Sequence, residues 1–300
     1  MQKNVLRRNR LGRIVLQVSK QAKLEDFLIK DAGVSKRLIS RLKRTENGIT
    51  RNGSLIRTID TVNTGDIVIL QFQDTKILEP NFRLGVPIAF ENENLAVFDK
   101  PVGMPVHPSI KHQGDTLGNF FAAKYPDITF RPVNRLDRDT SGLCIIAKNA
   151  FAAAALQNSV KKVYYAVVTG YIDGEGTIDA PIAREKDSII KRTVRQDGQR
   201  AVTHYKAIKS GTKYSLIEIK LETGRTHQIR VHFAYIGHPL AGDDLYGGST
   251  EDICCQALHC GLLCFREPLT GKEITVTSPL RDDTVSYTHL RAHETLSDLV

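Results

Sequence analysis

One segment near the middle of the chain constrains its fold and chemistry more than any other. Residues 135–142 read Arg-Leu-Asp-Arg-Asp-Thr-Ser-Gly, a turn-prone stretch, and the apolar run 143–147 after them predicts a buried strand. Asp137 would therefore stand on a turn at the mouth of a strand, beside arginines that favour its charged form. A nucleophilic or proton-abstracting aspartate requires this setting. An ordinary Asx turn with solvated ion pairs has the same composition, so other segments have to decide between the two interpretations.

Positive charge is concentrated at the start of the chain. The first 60 residues hold 15 lysines and arginines against 5 acidic residues, whereas all 300 residues carry a net charge of +9. The remainder is therefore close to neutral. Residues 34–44 predict a helix with a basic face opposite a buried face, which suits contact with phosphates. The apolar side comprises Val34, Leu38, Ile39 and Leu42, and the basic side Lys36, Arg37, Arg41, Lys43 and Arg44.

Three further segments accompany the central one. Residues 95–108 predict a strand followed by a Pro/Gly loop, residues 161–170 predict a strand, and residues 223–247 contain Thr-Gly-Arg-Thr-His-Gln-Ile-Arg, His-Pro-Leu and Leu-Tyr-Gly. In this order and at these separations, the four segments closely resemble the bacterial pseudouridine synthases of the RluA type, which modify uridines in ribosomal and transfer RNA. The resemblance covers residues 86–283. Asn134 departs from it, because many members carry His there, but that position is not the catalytic one.

The start of the chain resembles a second family. The patterns Leu24-x-x-Phe27-Leu28, 34–39, Ile49-x-x-Asn52-Gly53 and 64–69 are similar to the S4 RNA-binding domain, although a generic basic helical hairpin is an alternative. We expect an S4-like domain over 1–72, a linker over 73–85 and a catalytic domain over 86–284. The fold class implied is α+β, with a large mixed, mainly antiparallel sheet and flanking helices, preceded by a small α/β S4-like domain.

The resemblance implies an isomerase that breaks the C1′–N1 bond of specific uridines, turns the base over and joins C1′ to C5. No group enters or leaves, so neither a metal nor an organic cofactor is expected. Members with an S4 domain typically act on 23S ribosomal RNA, which makes large-subunit RNA the expected partner of a monomeric enzyme. A transfer-RNA synthase of the same chemistry remains an alternative. A non-catalytic, ribosome-associated RNA-binding protein that keeps the S4 domain is another.

Three residues match the catalytic positions of the family. Asp137 would attack C1′ or remove the 2′ proton, and the sequence does not separate these roles. Arg230 would keep Asp137 charged, from a helix over 228–236 that we expect Thr226 to cap and Gly237 and Pro239 to end. Such an arginine needs a carboxylate partner, because the helix dipole favours acids at that end.

Tyr164 would hold the loose base by stacking, which is worth about 1–3 kcal/mol for any base. Strand geometry points Tyr164 and Tyr165 to opposite faces, so only one of them can line a cleft. Tyrosines in strands are also common in plain cores. The family pattern selects Tyr164.

The target uridine also has to leave its stack, which costs a few kcal/mol. Arg135 matches the arginine that contacts RNA near the flipped nucleotide in the family. Lys100, His107 and Arg225 are further candidates for RNA contact in the cleft, and Lys36, Arg37, Arg41 and Arg44 are candidates in the S4-like domain.

Five cysteines in a chain without a signal-peptide pattern or a long apolar run indicate a cytoplasmic protein that contacts no membrane. Cys254, Cys255, His259, Cys260 and Cys264 lie close in sequence but form no paired Cys-x-x-Cys units, so we expect no zinc. Residues 285–300 resemble a translated sequencing adapter. We therefore exclude them from the fold.

Overall fold

The computed structural model describes residues 5–9, 13–71, 78–157 and 159–280, and residues 5–9 by their backbone alone. The tail assigned to 285–300 lies outside these ranges, as do residues 72–77 of the expected boundary and linker. None of the described helices is both long and apolar enough to cross a membrane.

The N-terminal region contains a five-stranded sheet in the order β1-β2-β7-β4-β5 and a separate β3–β6 pair. A short helix, α1, runs on into a π-helical turn over Phe27–Asp31, and a second helix, α2, follows. The elements are β1 (Val5–Asn9), β2 (Arg13–Gln17), β3 (Ala22–Lys23), α1 (Leu24–Asp26), α2 (Lys36–Leu42), β4 (Ile49–Arg51), β5 (Ser54–Leu55), β6 (Thr61–Val62) and β7 (Ile67–Gln71).

Helix α2 is shorter than the helix expected over 34–44. It begins after Ser35, whose hydroxyl accepts a hydrogen bond from the backbone N–H of Leu38 at 3.3 Å. The division of its faces is confirmed: Val34, Leu38, Ile39 and Leu42 are buried, and the basic side chains are exposed.

The second part of the described chain is built on a nine-stranded sheet in the order β12-β15-β16-β11-β17-β10-β9-β8, with β18 also pairing with β17. Only β10 and β17 pair in parallel, so the expected mixed, mainly antiparallel sheet is confirmed. Its strands are β8 (Ile88–Glu91), β9 (Leu95–Lys100), β10 (Ser141–Ala147), β11 (Lys161–Thr169), β12 (Glu175–Asp179), β15 (Val202–Lys209), β16 (Tyr214–Leu221), β17 (Leu258–Arg266) and β18 (Glu273–Thr277). A separate hairpin comprises β13 (Ile182–Arg184) and β14 (Arg192–Val194).

Three helices accompany this sheet: α3 (Leu117–Lys124), α4 (Ala150–Leu156) and α5 (Gln228–Tyr235). Helix α5 confirms the helix expected over 228–236, to within one residue, but the expected cap at Thr226 is wrong. His227 occupies the N-cap position in the left-handed region, at φ 57°, and makes no side-chain capping bond. The helix ends before Gly237, which has φ 83°.

The two regions share buried apolar packing. Phe151 of α4 and Leu269, which follows β17, belong to the same buried cluster as Leu28 and Leu38 of the N-terminal region. A larger cluster lies around β9, β10, β11 and β17, and it places every residue of β10 in the interior. A central strand with both faces covered needs a continuous apolar run, which residues 143–147 supply.

Gly142 offers a direct test of how closely β10 approaches β17. Its φ is 100°, and an added methyl group would lie 2.3 Å from the backbone oxygen of Cys260. We expect Gly142→Ala to destabilise the protein by about 1–3 kcal/mol from backbone strain alone, with the steric overlap adding to it. Thermal and urea unfolding measure the change. Gly85→Ala is the matched control, because nothing lies within 4 Å of its added methyl group and its φ is not left-handed; equal stabilities for the two variants would contradict this account.

Candidate active site

The turn that carries Asp137 is held from three directions. The backbone N–H of Thr140 donates to the carbonyl of Asp137 at 3.2 Å. The Thr140 hydroxyl accepts a hydrogen bond from the side-chain amide of Gln256 at 3.0 Å, which joins the turn to the segment just before β17. Before the turn, the Asn134 amide spans to β10, donating to Leu143 and accepting from the N–H of Ile145 at 2.8 Å. Asn134 therefore serves to fix the turn against the strand.

Lys100 also holds this turn, from inside the protein. Its side chain is fully buried, and its ammonium group donates to the carbonyls of Pro101, Met104 and Arg138 at 2.8–3.0 Å. Burial lowers the pKa of this ammonium group to about 8, against the opposing effect of nearby acidic groups. The expectation that Lys100 contacts RNA is wrong, because its charge faces three carbonyls inside the protein and cannot reach a phosphate.

Arg230, in the first turn of α5, reaches Asp137 across the cleft. Its Nη1 donates to Oδ2 of Asp137 at 3.1 Å, so the expected contact is present. The same guanidinium grips Asp243 in a bidentate pair, with Nε to Oδ2 at 2.7 Å and Nη2 to Oδ1 at 2.8 Å. The Asp243 side chain is 0% exposed, whereas that of Asp137 is 32% exposed. One carboxylate therefore anchors the arginine and the other faces the cleft.

Burial opposes the charge on Arg230, but the bonds to Asp243 and Asp137 outweigh it and raise the pKa of its guanidinium above the usual value. The ring of Tyr246 lies 5.0 Å from the guanidinium carbon and adds a cation–π contact. Sequence reasoning assigned no role to Asp243 or Tyr246, although both lie in the segment that resembles the family. The signal available in the sequence was an aspartate directly after Gly242 in that segment.

Tyr164 and Tyr165 point to opposite faces of β11, as expected. Tyr164 lines the cavity that also contains Asp137 and Arg230, and Tyr165 packs with Val163 on the other face. Burial raises the pKa of the Tyr164 phenol well above its usual value, and the charge on Asp137 adds to the effect. The phenol therefore stays protonated at neutral pH, and Tyr164 offers the cavity an uncharged aromatic surface.

His227 is a further member of this cavity that sequence reasoning did not single out. Its Nδ1 lies 2.9 Å from the hydroxyl of Tyr246, and its Nε2 lies 3.8 Å from Oδ2 of Asp137. Burial lowers the pKa of the imidazole; Asp137 and Asp243 oppose this effect, and Arg230 and Arg192 reinforce it. His227 is therefore neutral at pH 7.

The remaining candidates lie in different places. Arg135 and Arg225 are exposed and line the cavity of Asp137. His107 is exposed and packs edge-on against Phe130, outside the residues that line the cavity. The four basic candidates in the N-terminal region are exposed on α2: Lys36, Arg37, Arg41 and Arg44. They line neither the Asp137 cavity nor the second cavity described below.

A second cavity, of about 390 Å³, lies between the β13–β14 hairpin and the turn at residues 224–226. Arg225 lines both cavities. Arg184 and Arg192 add positive charge, and the one lining carboxylate, Asp197, is paired with Arg195. Within the described residues, no bond from the Arg184 guanidinium to another group is found. This basic cavity is large enough for a nucleotide and is not evident from the sequence.

The cysteine-rich segment does not gather into a metal centre in the described part of the chain, where no cluster of three or more His, Cys, Asp or Glu side chains is suited to hold an ion. His259 instead contacts the Ser141 hydroxyl through Nδ1 at 2.9 Å, at the start of β10. Cys260 is buried beside Tyr164, its partner on the neighbouring strand, and burial raises the pKa of its thiol to about 12.

Comparisons with known proteins agree with this geometry. Residues 94–235 match the family model described as RNA pseudouridylate synthase. The uncharacterized RNA pseudouridine synthase YjbO of Bacillus subtilis is 40% identical over 265 residues, which cover 84% of this chain and 94% of that protein. Ribosomal large subunit pseudouridine synthase D of Pseudomonas aeruginosa is 38% identical over 261 residues, 78% of this chain and 81% of the relative.

Among solved structures, human RNA Pseudouridylate Synthase Domain Containing 1 matches with a TM-score of 0.56 at 23% identity, over 73% of this chain and 99% of that one. This likeness concerns the fold alone. Together, the fold and the matches define an enzyme that isomerises a nucleoside within RNA. The chain belongs to the family of RNA pseudouridine synthases.

The Asp243 anchor is open to a direct test. In Asp243→Asn an amide group replaces an anionic oxygen against a buried guanidinium, and breaking such a pair costs about 3–5 kcal/mol. We expect that loss in urea unfolding, together with a fall in the rate of pseudouridine formation, because Arg230 no longer holds its position beside Asp137. Asp26→Asn, which removes an exposed pair with Lys30, is the control and should change stability little. A fully stable, fully active Asp243→Asn would refute the anchoring role.

Proposed function

We propose that this synthase converts specific uridines of large-subunit ribosomal RNA to pseudouridine in the cytoplasm, acting as a monomer, with Asp137, Arg230 and Tyr164 as its catalytic residues. The observation that carries the proposal is the 3.1 Å contact between Arg230 and Asp137 in a cavity that Tyr164 also lines. The choice of substrate is supported by relatives named ribosomal large subunit pseudouridine synthase D.

In this proposal the partly exposed carboxylate of Asp137 meets the ribose of a flipped uridine. It either attacks C1′ as a nucleophile or removes the 2′ proton, and in both cases the C1′–N1 bond breaks and the base becomes free to turn. Arg230 orients the carboxylate, because its own position is set by Asp243. Tyr164 provides the flat surface on which the free base turns without leaving.

The RNA would be held by positive charge on both sides of the cavity. Arg135, which is exposed and lines the cavity, would fill the gap left by the flipped base. Arg225, which also lines the basic cavity of Arg184, would contact the RNA between the two cavities. His107 and the exposed basic face of α2, in the S4-like region, would contact more distant phosphates.

The catalytic role of Asp137 is tested by Asp137→Asn, which keeps the shape of the side chain and removes its charge. We expect no detectable isomerisation and RNA affinity within a few-fold of the wild type, because the aspartate acts on the sugar and supplies no binding charge. Pseudouridine is mapped in ribosomal RNA from a strain that lacks the protein and is complemented with either form. Substantial turnover by the variant would remove Asp137 from this role, and modification confined to transfer RNA would redirect the substrate.

The RNA-binding role of α2 is tested by replacing Lys36, Arg37, Arg41 and Arg44 together with glutamine. Each lost phosphate contact lowers the slope of log affinity against log salt by about 0.7–0.9, so we expect a decrease of up to about 3.6 for four contacts. Filter binding to a large-subunit RNA transcript between low and moderate salt gives the slope. The control replaces four exposed basic residues that lie outside α2 and both cavities: Arg83, Lys206, Arg266 and Lys272. Equal slopes for the two variants would rule out RNA contact by α2.

A further inference from the structure

The proposed reaction contains a proton transfer that Asp137, Arg230 and Tyr164 leave unassigned. When C1′ joins C5, that carbon carries both the sugar and its original hydrogen, and N1 is doubly bonded to C6. To restore the aromatic ring, C5 loses its proton, the C–H electron pair forms the C5–C6 double bond, and N1 gains a proton. One proton leaves carbon and one enters nitrogen, so the step needs a base but no oxidant or reductant.

The cavity offers few groups for this step. Its titratable lining residues, apart from arginines that stay protonated, are Asp137, Tyr164 and His227. Asp137 carries out the sugar step, and once C1′ has joined C5 its carboxylate remains hydrogen-bonded to Arg230 at 3.1 Å. Tyr164 keeps its proton because burial raises the pKa of its phenol. A base that works at neutral pH has to be uncharged before it takes the proton. Among the lining groups this leaves His227, because burial lowers the pKa of its imidazole.

The contacts of His227 leave one of its nitrogens available. The Tyr246 hydroxyl oxygen accepts the backbone N–H of Arg192 at 2.9 Å and lies 2.9 Å from Nδ1 of His227. With the imidazole proton placed on Nδ1, a second lone pair of that oxygen accepts it. In that tautomer Nε2 carries a lone pair. Its 3.8 Å separation from Asp137 is too long for a hydrogen bond, so the carboxylate does not occupy it.

Nε2 of His227 also lies near the place where the C5 proton has to be removed. The new bond joins C5 to the carbon that had faced Asp137, so the C5 hydrogen is released beside that carboxylate, where Nε2 lies. The imidazolium formed there would be stabilised by Asp137 and, further off, by Asp243, against the charges of Arg230 and Arg192. The side chain is only 11% exposed, which protects the transfer from exchange with bulk water.

We propose that His227 is a fourth catalytic residue, the base whose Nε2 removes the C5 proton after the new carbon–carbon bond forms. This inference rests on the proposed function of Asp137. Tyr246 is a positioning residue that sets the tautomer and the ring orientation. The left-handed backbone of His227, at φ 57°, directs the imidazole into the cavity at the start of α5.

The same φ provides the test, because glycine adopts it without strain and His227→Gly leaves a hole of imidazole size. The probe is a large-subunit RNA transcript that contains the mapped target site, prepared with uridine or with 5-deuterouridine. We expect single-turnover pseudouridine formation by His227→Gly to fall by about 10²–10⁴-fold, as for loss of a general base. It should become slower still with the deuterated RNA, because C5 deprotonation now limits the rate. Added imidazole should restore the rate in proportion to its concentration.

Controls separate the possible failures. His227→Gln, whose amide can still bond to Tyr246, should show the same deuterium effect without rescue by imidazole. Unfolding curves of both variants establish that they fold, and a variant that is slow with no deuterium effect and no rescue would show that His227 only supports the site, which overturns the inference. Full activity of either variant overturns it as well. A wild-type protein that forms no pseudouridine, or that does not need Asp137, would instead refute the proposed function itself.

Discussion

The site depends on one buried guanidinium shared between two carboxylates. Arg230 is bound on one side by the fully buried Asp243 and on the other by Asp137, which faces the cleft. Loss of either partner of a buried arginine is strongly destabilising. The arrangement therefore fixes three parts of the chain relative to one another: α5, the Asp137 turn before β10, and the segment around Asp243. The contacts that position Asp137 are therefore the same contacts that stabilise the fold.

Other contacts extend this rigidity to the turn itself. Lys100 and Asn134 place an ammonium group and an amide against backbone atoms of the turn and of β10, and Gly142 lets β10 approach β17 closely. These residues are not among those that line the cavity. Their effect on chemistry is indirect: they hold the carboxylate in one orientation, so little reorganisation is needed when a ribose arrives.

The basic face of α2 and the Asp137 cavity belong to different regions of the chain, and buried apolar side chains connect the two regions. The basic face of α2 lies in the N-terminal region, while the cavity is built from residues 135–258. Phe151 and Leu269 extend the N-terminal apolar cluster into the second region. The basic cavity of Arg184, which shares Arg225 with the Asp137 cavity, offers an additional surface of the same sign.

The sequence by itself determined the strand after residue 142, helix α5 within one residue, and the opposite facing of Tyr164 and Tyr165, because these follow from local periodicity. The α+β class followed from the resemblance of its motifs to a known family. It also paired Arg230 with Asp137, although they are 93 positions apart. Only the tertiary structure decided that Lys100 is buried, that His227 and not Thr226 stands at the start of α5, and that Asp243, Tyr246 and Arg184 belong near the site. The physical reason is that burial and through-space contact depend on which strands become neighbours, and local pattern does not encode that choice.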